Sequence, residues 1–512
     1  MNIQKYLIFS MEKYGSNNCL HTNKTYYTYK DLYKESQNIS NIILNIEYKK
    51  HPVIVMGTKS FYTHSAICGI IISGSYYTPL NQTFPKERNI SIINNSQSKI
   101  IYLDYTDFEN YEEILKSIDN YNIICPNEHI KYLSDTFPNH TFKSESEVMD
   151  IINVEDNDTC YMLFTSGSTG QPKGIQLSHY NLYSYITAFN KRNNVTSSAR
   201  LMQMNDLTFD LSIHSIFLSF LSGGCLYIPE VGNKLNPIGF INEHSINHIL
   251  MVPSSLTLMA KLRLLKENSM PSLKYVSFCG EALPFNKAIL MAKACPNAKL
   301  ENLYGPTEAT IACTYFEFNK DIVELEEYCG SMPIGCAYDG MEAFIVDDNN
   351  NVINDERTGQ LVLSGNQLAK GYINNMEQTK SKFIKINNKD CYLTGDLCRY
   401  VNNQLVFLGR NDSQVQIRGY RVELYEVENA VSKIQGILSN ACIPIPVSSQ
   451  TYEDITLFIT ADKTYKLDEI TIKENLSKMI PNYMVPKNII VLDNMPLNSN
   501  GKIDRNKLKE MV

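Results

Sequence analysis

Thr165 to Gly174, TSGSTGQPKG, gathers hydroxyls and glycines around Lys173, a composition suited to holding phosphate oxygens. The stretch nearly fits the P-loop pattern GxxxxGK[ST] from Gly167, but the second glycine falls on Pro172 and the hydroxyl residue on Gly174. Proline has no N–H to give a phosphate, and glycine has no hydroxyl to give magnesium, so both departures remove parts that the P-loop mechanism needs. Backbone N–H groups with the hydroxyls of Thr165, Ser166 and Thr169 still suit a polyphosphate, with Lys173 as counter-charge. A Gly/Ser-rich surface loop is the other reading of the same residues.

Four further positions have side chains able to do chemistry. In NLYGPTE, Asn302 to Glu308, a Gly-Pro turn follows a strand; Tyr304 could stack on a purine and Glu308 reach magnesium, or the segment is only a β-turn. Asp396 in TGDL has the lone pairs to accept from both hydroxyls of a ribose, and also suits a solvated turn. Asp210 opens the apolar helical run LSIHSIFL, where an aspartate is a ligand or an N-cap. Lys502 in NGKIDR reads by default as a solvated lysine.

The elements that must position these residues follow from the apolar pattern. PVIVMG, SFYTHSAICGIII, YYTPL, KIIYLD and NIIC alternate strand and helix from Pro52 onward, and RLMQMN, IHSIFLSFL, GCLYI, NHILMV, SSLTLMAKL and LKYVSFCG continue the alternation. This predicts a large, mostly parallel α/β region to about residue 320. MEAFIVDDNNNVI, GQLVLSG and CRYVNNQLVFLGR then read as hairpins with Asn-rich turns. Beyond GRND come the strand QVQIRG, a helix with Val427, Ala430, Val431 and Ile434 on one face, two strands, a helix and a strand. The predicted class is α/β: a large N-terminal domain, residues 1–408, of parallel α/β sheets plus a small β-barrel-like region, then a small mobile α+β C-terminal domain, residues 409–512. At 512 residues the chain exceeds what one core supports.

Composition narrows the partners. A net charge of -7 gives no footprint for nucleic acid. The longest apolar run, AICGIIISG, is too short to span a bilayer, and the N-terminus lacks a signal-peptide pattern, so no membrane insertion and a cytoplasmic location are expected. The 13 cysteines show no CxxC pairs and read as reduced thiols, most of them in the core.

YMLFTSGSTGQPKG, FDLS from Phe209, NLYGPTE, GQLVLSGNQLAKGYI from Gly359, YLTGDL, GRNDSQVQIRGYRVEL from Gly409 and NGKIDR stand in one order across nearly the whole chain. In that order they resemble the adenylate-forming superfamily, in particular the amino-acid adenylation domains of nonribosomal peptide synthetases and the stand-alone D-alanine:carrier-protein ligases. The resemblance implies ATP and Mg2+ as cofactors. Thr165, Ser166, Gly167, Ser168, Thr169, Gly170 and Lys173 would clamp the β- and γ-phosphates; Gly280, Asn302, Leu303, Tyr304, Gly305, Pro306 and Thr307 would line adenine and the α-phosphate. Glu308 would hold the metal, and Asp396 with Phe407, Leu408, Gly409 and Arg410 the ribose. Lys502 would be the catalytic cation, touching both ATP and substrate, and Asp412 the hinge about which the C-terminal domain turns to present GYRVEL to a pantetheine arm.

The resemblance also implies a small amino acid as substrate. Asp210 would bind its ammonium, as the amino-acid-activating members do, and Cys279, Met251, Ile311 and Leu303 would bound its side chain. Cys279 points to D-alanine, while His214, four residues after Asp210, points to a small polar amino acid such as serine. Tyr425 stands where the family commonly has Gly or Glu. The end of the chain just after NGKIDR implies a phosphopantetheinylated carrier protein supplied in trans. The rival readings are a stand-alone adenylation enzyme for another amino acid in a peptide-synthetase pathway, an acyl-CoA synthetase, which leaves Asp210 idle, and a non-catalytic nucleotide-binding protein, which has no need of Lys502 or Glu308.

Overall fold

A computed structural model of the chain describes residues 2–46, 50–166, 172–230, 236–318, 331–412, 414–448, 451–462, 464–465, 467–497 and 503–512. Two large sheets form the N-terminal part. Seven strands run in the order Thr141–Lys143, Asn122–Ile124, Ile100–Leu103, Pro52–Met56, Tyr76–Pro79, Thr159–Thr165 and Lys173–Ser178, all parallel except the last pair. Nine strands make the other sheet, whose centre, Lys299–Tyr304, Tyr275–Phe278, His248–Met251, Arg200–Met202 and Cys225–Tyr227, is parallel. The run of βαβ units therefore behaves as the alternation predicts, with one addition: Asn18–Thr22, well before Pro52, joins the second sheet parallel to Cys225–Tyr227.

One continuous core joins the two sheets, with Ile42, Val53, Ile70, Tyr161, Phe189, Phe217 and Leu226 all buried in it. The helices Phe61–Ile72 and Asp210–Ser222 are apolar on every side because they are covered on every side. Asp210–Ser222 ends at Gly223, whose φ of +79° places it in the left-handed region; a Cβ there would lie 2.5 Å from the Tyr14 ring, so the stop needs glycine twice over.

The texture change after residue 320 is real. Met341–Val346, Val352–Ile353, Gly359–Gly365, Phe383–Ile386, Lys389–Val401 and Gln404–Arg410 form an antiparallel six-stranded sheet. Its hairpins turn on paired asparagines with positive φ, Asn387 with Asn388 and Asn402 with Asn403, the conformation that matches the twist of the flanking strands. The last sheet contains Gln414–Ile417, Tyr420–Glu423, Ile437–Ser448, Thr451–Ala461 and Asn488–Val491, with the helices Leu424–Val431 and Glu469–Ser477 packed on it. Ile434 joins Val427, Ala430 and Val431 in that core from the turn after the helix, which stops at Val431. Among the described residues every cysteine is a free thiol, all buried except Cys336, and no helix is long and apolar enough to cross a membrane.

Five histidines, His21, His64, His179, His214 and His248, are buried, and burial lowers the pKa of each. Burial drives the imidazoles of His179 and His248 down to about 4 and that of His214 to about 3. Neither ring nitrogen of His179 has a hydrogen-bond partner among the described residues. In the unfolded chain the rings of His179, His214 and His248 take their protons near pH 6.5, so this contribution to stability is complete above pH 6.5 and is lost as the pH falls toward 4, on the order of 3 kcal/mol per ring. The thermal midpoint of the N-terminal part should therefore fall between pH 6.5 and 4.5, and His179→Leu should flatten that slope; a slope unchanged in the variant would remove His179 from the account.

Candidate active site

Many of the predicted site residues line one cleft of about 1340 Å3, its open mouth included, walled by both large sheets, the antiparallel sheet and the C-terminal sheet. Thr165, Ser166, Gly280, Asn302, Leu303, Tyr304, Gly305, Pro306, Thr307, Asp396, Phe407 and Arg410 all line it, as do Asp210 and Cys279. The parallel topology explains this convergence, because Tyr275–Phe278 and Lys299–Tyr304 deliver Cys279 and the YGPTE loop from their carboxyl ends, where open α/β sheets hold ligands.

Asp210 is the first residue of its helix. The N-cap is Phe209, with no side-chain bond at the cap, and the Asp210 carboxylate accepts from Thr307 Oγ1 at 2.9 Å. Burial raises its pKa to about 6, outweighing that bond, and among the described residues no lysine or arginine forms a salt bridge with it. It is a carboxylate without a counter-ion in a cleft wall. Its linkage is opposite in sign to that of the histidines: the native state holds the proton more tightly, so stability rises as the pH falls from about 6 to 3.8.

Glu308 is the contrasting case. It is 1% exposed, yet Oε2 accepts from Arg421 Nη1 at 2.9 Å and Oε1 from the Tyr372 hydroxyl at 2.6 Å. Burial alone would raise its pKa; Arg421 and Tyr372 reverse this and hold it below the ordinary glutamate value. Lys173 sits beside this group, its Nζ 5.9 Å from the Tyr372 ring centre, with burial lowering its pKa. Asp396 bonds the Tyr304 hydroxyl through one oxygen and Arg410 through the other. Each of those oxygens keeps a further lone pair.

Arg421 belongs to the hairpin Gln414–Ile417 and Tyr420–Glu423, whose tip enters the cleft. Arg418 and Gly419 both have positive φ, +51° and +83°, as a two-residue turn requires. The Gly419 N–H donates to Glu281, which also accepts from the Ser254 N–H at 2.6 Å, and Ser166 Oγ donates to the Arg421 carbonyl at 2.8 Å. A Cβ at position 419 would lie 2.7 Å from Val252 Cγ1. Arg421 and Tyr372 stand inside segments the sequence singles out, GYRVEL and LAKGYI, and Glu281 directly follows a third, LKYVSFCG. Their partnership depends on packing between sheets, which no local pattern encodes.

Other candidates lie elsewhere. His214 is not in the cleft wall: Nδ1 bonds the Tyr185 hydroxyl at 2.7 Å and Phe189 packs edge-on at 4.7 Å, as for a satisfied core histidine. Met251 is in the core of the second sheet, and Ile311 is buried behind the cleft with its carbonyl 3.9 Å from Cys279 Sγ. Leu408 packs away from the cleft beside a bulge opposite Leu397 and Cys398, next to which Gly409 pairs with Leu397. Asp412 is bonded by Arg410 Nε at 2.8 Å and Nη2 at 2.7 Å. Gly167, Ser168, Thr169, Gly170 and Lys502 lie outside the described residues.

The model of the AMP-binding enzyme family matches residues 9–373, and that of the AMP-binding enzyme C-terminal domain matches residues 426–502. The chain belongs to the AMP-binding enzymes. This AMP-binding enzyme is similar to the D-alanine–D-alanyl carrier protein ligase of Staphylococcus aureus strain JH9, 30% identical over 493 residues, covering 95% of this chain and 94% of that one. Among solved structures it is similar to the Vibrio cholerae adenylation domain AlmE in complex with glycyl-adenosine-5'-phosphate, 28% identical, with a TM-score of 0.90 and coverage of 99% and 97%. PA1221, a nonribosomal peptide synthetase protein containing adenylation and carrier (PCP) domains, shares the fold at 21% identity, with a TM-score of 0.81 and coverage of 99% and 84%.

Thr307→Val in this AMP-binding enzyme removes the donor that favours the ionised form of Asp210. Its pKa should move further above 6, by roughly one unit, since a hydrogen bond to a charged group contributes about 1.5–3 kcal/mol. Titration of the carboxyl carbon by NMR, with Asp210→Asn to assign the signal, measures the shift; no change would mean that the bond does not govern the carboxyl.

Proposed function

We propose that this enzyme joins a small amino acid to ATP as an aminoacyl adenylate, releasing pyrophosphate, and passes the acyl group to the phosphopantetheine thiol of a separate carrier protein. The observation that carries the amino-acid reading is Asp210, a half-buried carboxylate with raised pKa and no salt-bridge partner among the described residues, in the same cleft as Tyr304 and Asp396. A substrate ammonium supplies the missing charge, and an acyl-CoA synthetase gives this carboxylate no partner. A reaction that consumes ATP favours a cytoplasmic location.

In the first step, an oxygen of the amino-acid carboxylate attacks the α-phosphorus and pyrophosphate leaves. Thr165, Ser166, the loop to Gly170, and Lys173 would hold the departing phosphates. Asn302 to Thr307 and Gly280 would hold the nucleotide, and Asp396, with Phe407 and Arg410, the ribose. Lys502 would offset the charge that builds between carboxylate and phosphate. Mg2+ would neutralise phosphate charge when bound, and Glu308 is its suggested ligand; here Arg421 and Tyr372 occupy its two oxygens, so it could serve the ion only once the hairpin carrying Arg421 has withdrawn. In the second step the thiol sulfur attacks the acyl carbon, the bond to AMP breaks, and AMP leaves with the electron pair.

The hairpin tip in the cleft, held by Glu281, Ser166 and Glu308, supports reading this arrangement as the one for thiol transfer, with a turn about Asp412 separating it from the arrangement for adenylation. D-alanine is the first choice of substrate, from Cys279 and the relative's activity. Glycine is the second, because the AlmE structure holds glycyl-adenosine-5'-phosphate and the apolar Leu303 and Cys279 line the cleft together with Asp210. Serine loses its support, as His214 faces Tyr185 in the core.

Amino-acid-dependent pyrophosphate exchange should favour D-alanine or glycine over any large amino acid; preference for an aromatic substrate would refute this choice. Lys502→Ala should lower exchange by at least 100-fold, as losing a placed electrostatic stabiliser does, while supplied aminoacyl adenylate is still discharged to a thiol. Equal loss of both steps in a folded variant would remove the two-arrangement account.

A further inference from the structure

At another point of the cleft wall, which Phe84, Arg88 and Tyr483 also line, the C-terminal part meets the N-terminal part through a second contact that no step above uses. Arg88, in the helix Lys86–Ser96, bonds Glu426, in the helix Leu424–Val431, at 2.5 Å, with the two side chains only 6% and 3% exposed. Four rings run from this pair to the residue before Asp210 and to the hairpin tip. The Arg88 guanidinium lies 5.5 Å over Phe84; Phe84 meets Tyr483 edge-on at 6.1 Å; Tyr483 stacks on Tyr420 at 3.9 Å; and Tyr420 meets Phe209, the residue before Asp210, edge-on at 4.7 Å. The outer rings, Phe84 and Phe209, belong to the N-terminal part and the inner two, Tyr483 and Tyr420, to the C-terminal part, and Tyr420 follows Gly419 at the hairpin tip.

We infer that Glu426 and Arg88 are positioning residues for thiol transfer: their ion pair fixes the ring ladder, and through it the hairpin tip, against the cleft, without contributing to adenylate formation. The inference rests on the two-arrangement reading above. Its physical basis is an asymmetry in solvation. While the two parts are together, both charges are out of water and each needs the other, so removing one leaves its partner buried and uncompensated. When the C-terminal part withdraws, both charges regain water and the pair no longer matters. Substitution should therefore weaken only the closed arrangement. The Nε of Arg88 and the Oε2 of Glu426 have no other partner among the described residues, so no neighbouring group stands in for the lost charge.

The test uses the full chain, pantetheine as the thiol, and the amino acid that supports exchange in the wild type. Glu426→Gln should leave pyrophosphate exchange within twofold and lower kcat/KM for pantetheine at least tenfold. The charge-swapped double variant Arg88→Glu with Glu426→Arg should recover part of that loss. Spin labels on exposed Cys336 and on a Leu438→Cys substitution should show the wild-type separation depleted in Glu426→Gln and restored in the swap. Discharge at the wild-type rate, equal loss of both reactions, or an unchanged label separation would each overturn the inference. A wild type with no amino-acid-dependent exchange would instead overturn the functional reading and this inference with it, an outcome distinguishable from exchange that persists while discharge is unaffected.

Discussion

The Glu308 carboxylate is the point at which three sheets are tied. It follows the strand Lys299–Tyr304 of the nine-stranded sheet, Tyr372 reaches it from the segment after Gly359–Gly365, and Arg421 reaches it from the C-terminal hairpin. A carboxylate this deeply buried costs several kcal/mol unless a cation and hydrogen bonds compensate, and here the cation comes from a different sheet. The backbone adds to the junction, the Ala369 N–H donating to the Glu308 carbonyl at 2.8 Å. The placement of the hairpin, the bond from Ser166 and the shape of the cleft mouth all follow from satisfying this one charge.

Asp210 lies in the same cleft and has the opposite problem. Its single hydroxyl donor does not balance its burial, so its pKa rises where that of Glu308 falls. Of the two carboxylates, the protein compensates one, and the other has no salt-bridge partner among the described residues. Environments that separate the titration of paired acids in this way are the usual mark of divided roles.

The sequence is most informative where chemistry is local. The Asn-rich turns, the parallel strands and the order of the motifs are all legible in it, because period, turn geometry and glycine placement act over a few residues. The early strand Asn18–Thr22 is not, since its partner Cys225–Tyr227 lies far along the chain. The same limit applies within the site. Spacing puts His214 on the face of Asp210, but a helix buried on all sides has no single pocket face, and Tyr185 takes the imidazole. Arg421 is visible as a letter in a quoted motif and Glu281 directly follows one, and only the packing of one part of the chain against another gives them partners.

The contact between Gly419 and Val252 extends beyond this one molecule. The hairpin tip enters only because position 419 has no side chain, and what it would strike is the branched end of Val252, just before the helix Pro253–Lys261. Positions 252 and 419 are thus one steric unit distributed over two parts of the chain. Across relatives their sizes should vary inversely, a covariation with no basis in any shared element. The same rule governs recombination: a C-terminal part grafted from a relative with a residue larger than glycine at this position would meet the valine on seating, and trimming the valine would remove the clash but not the strain of a side chain at a φ of +83°.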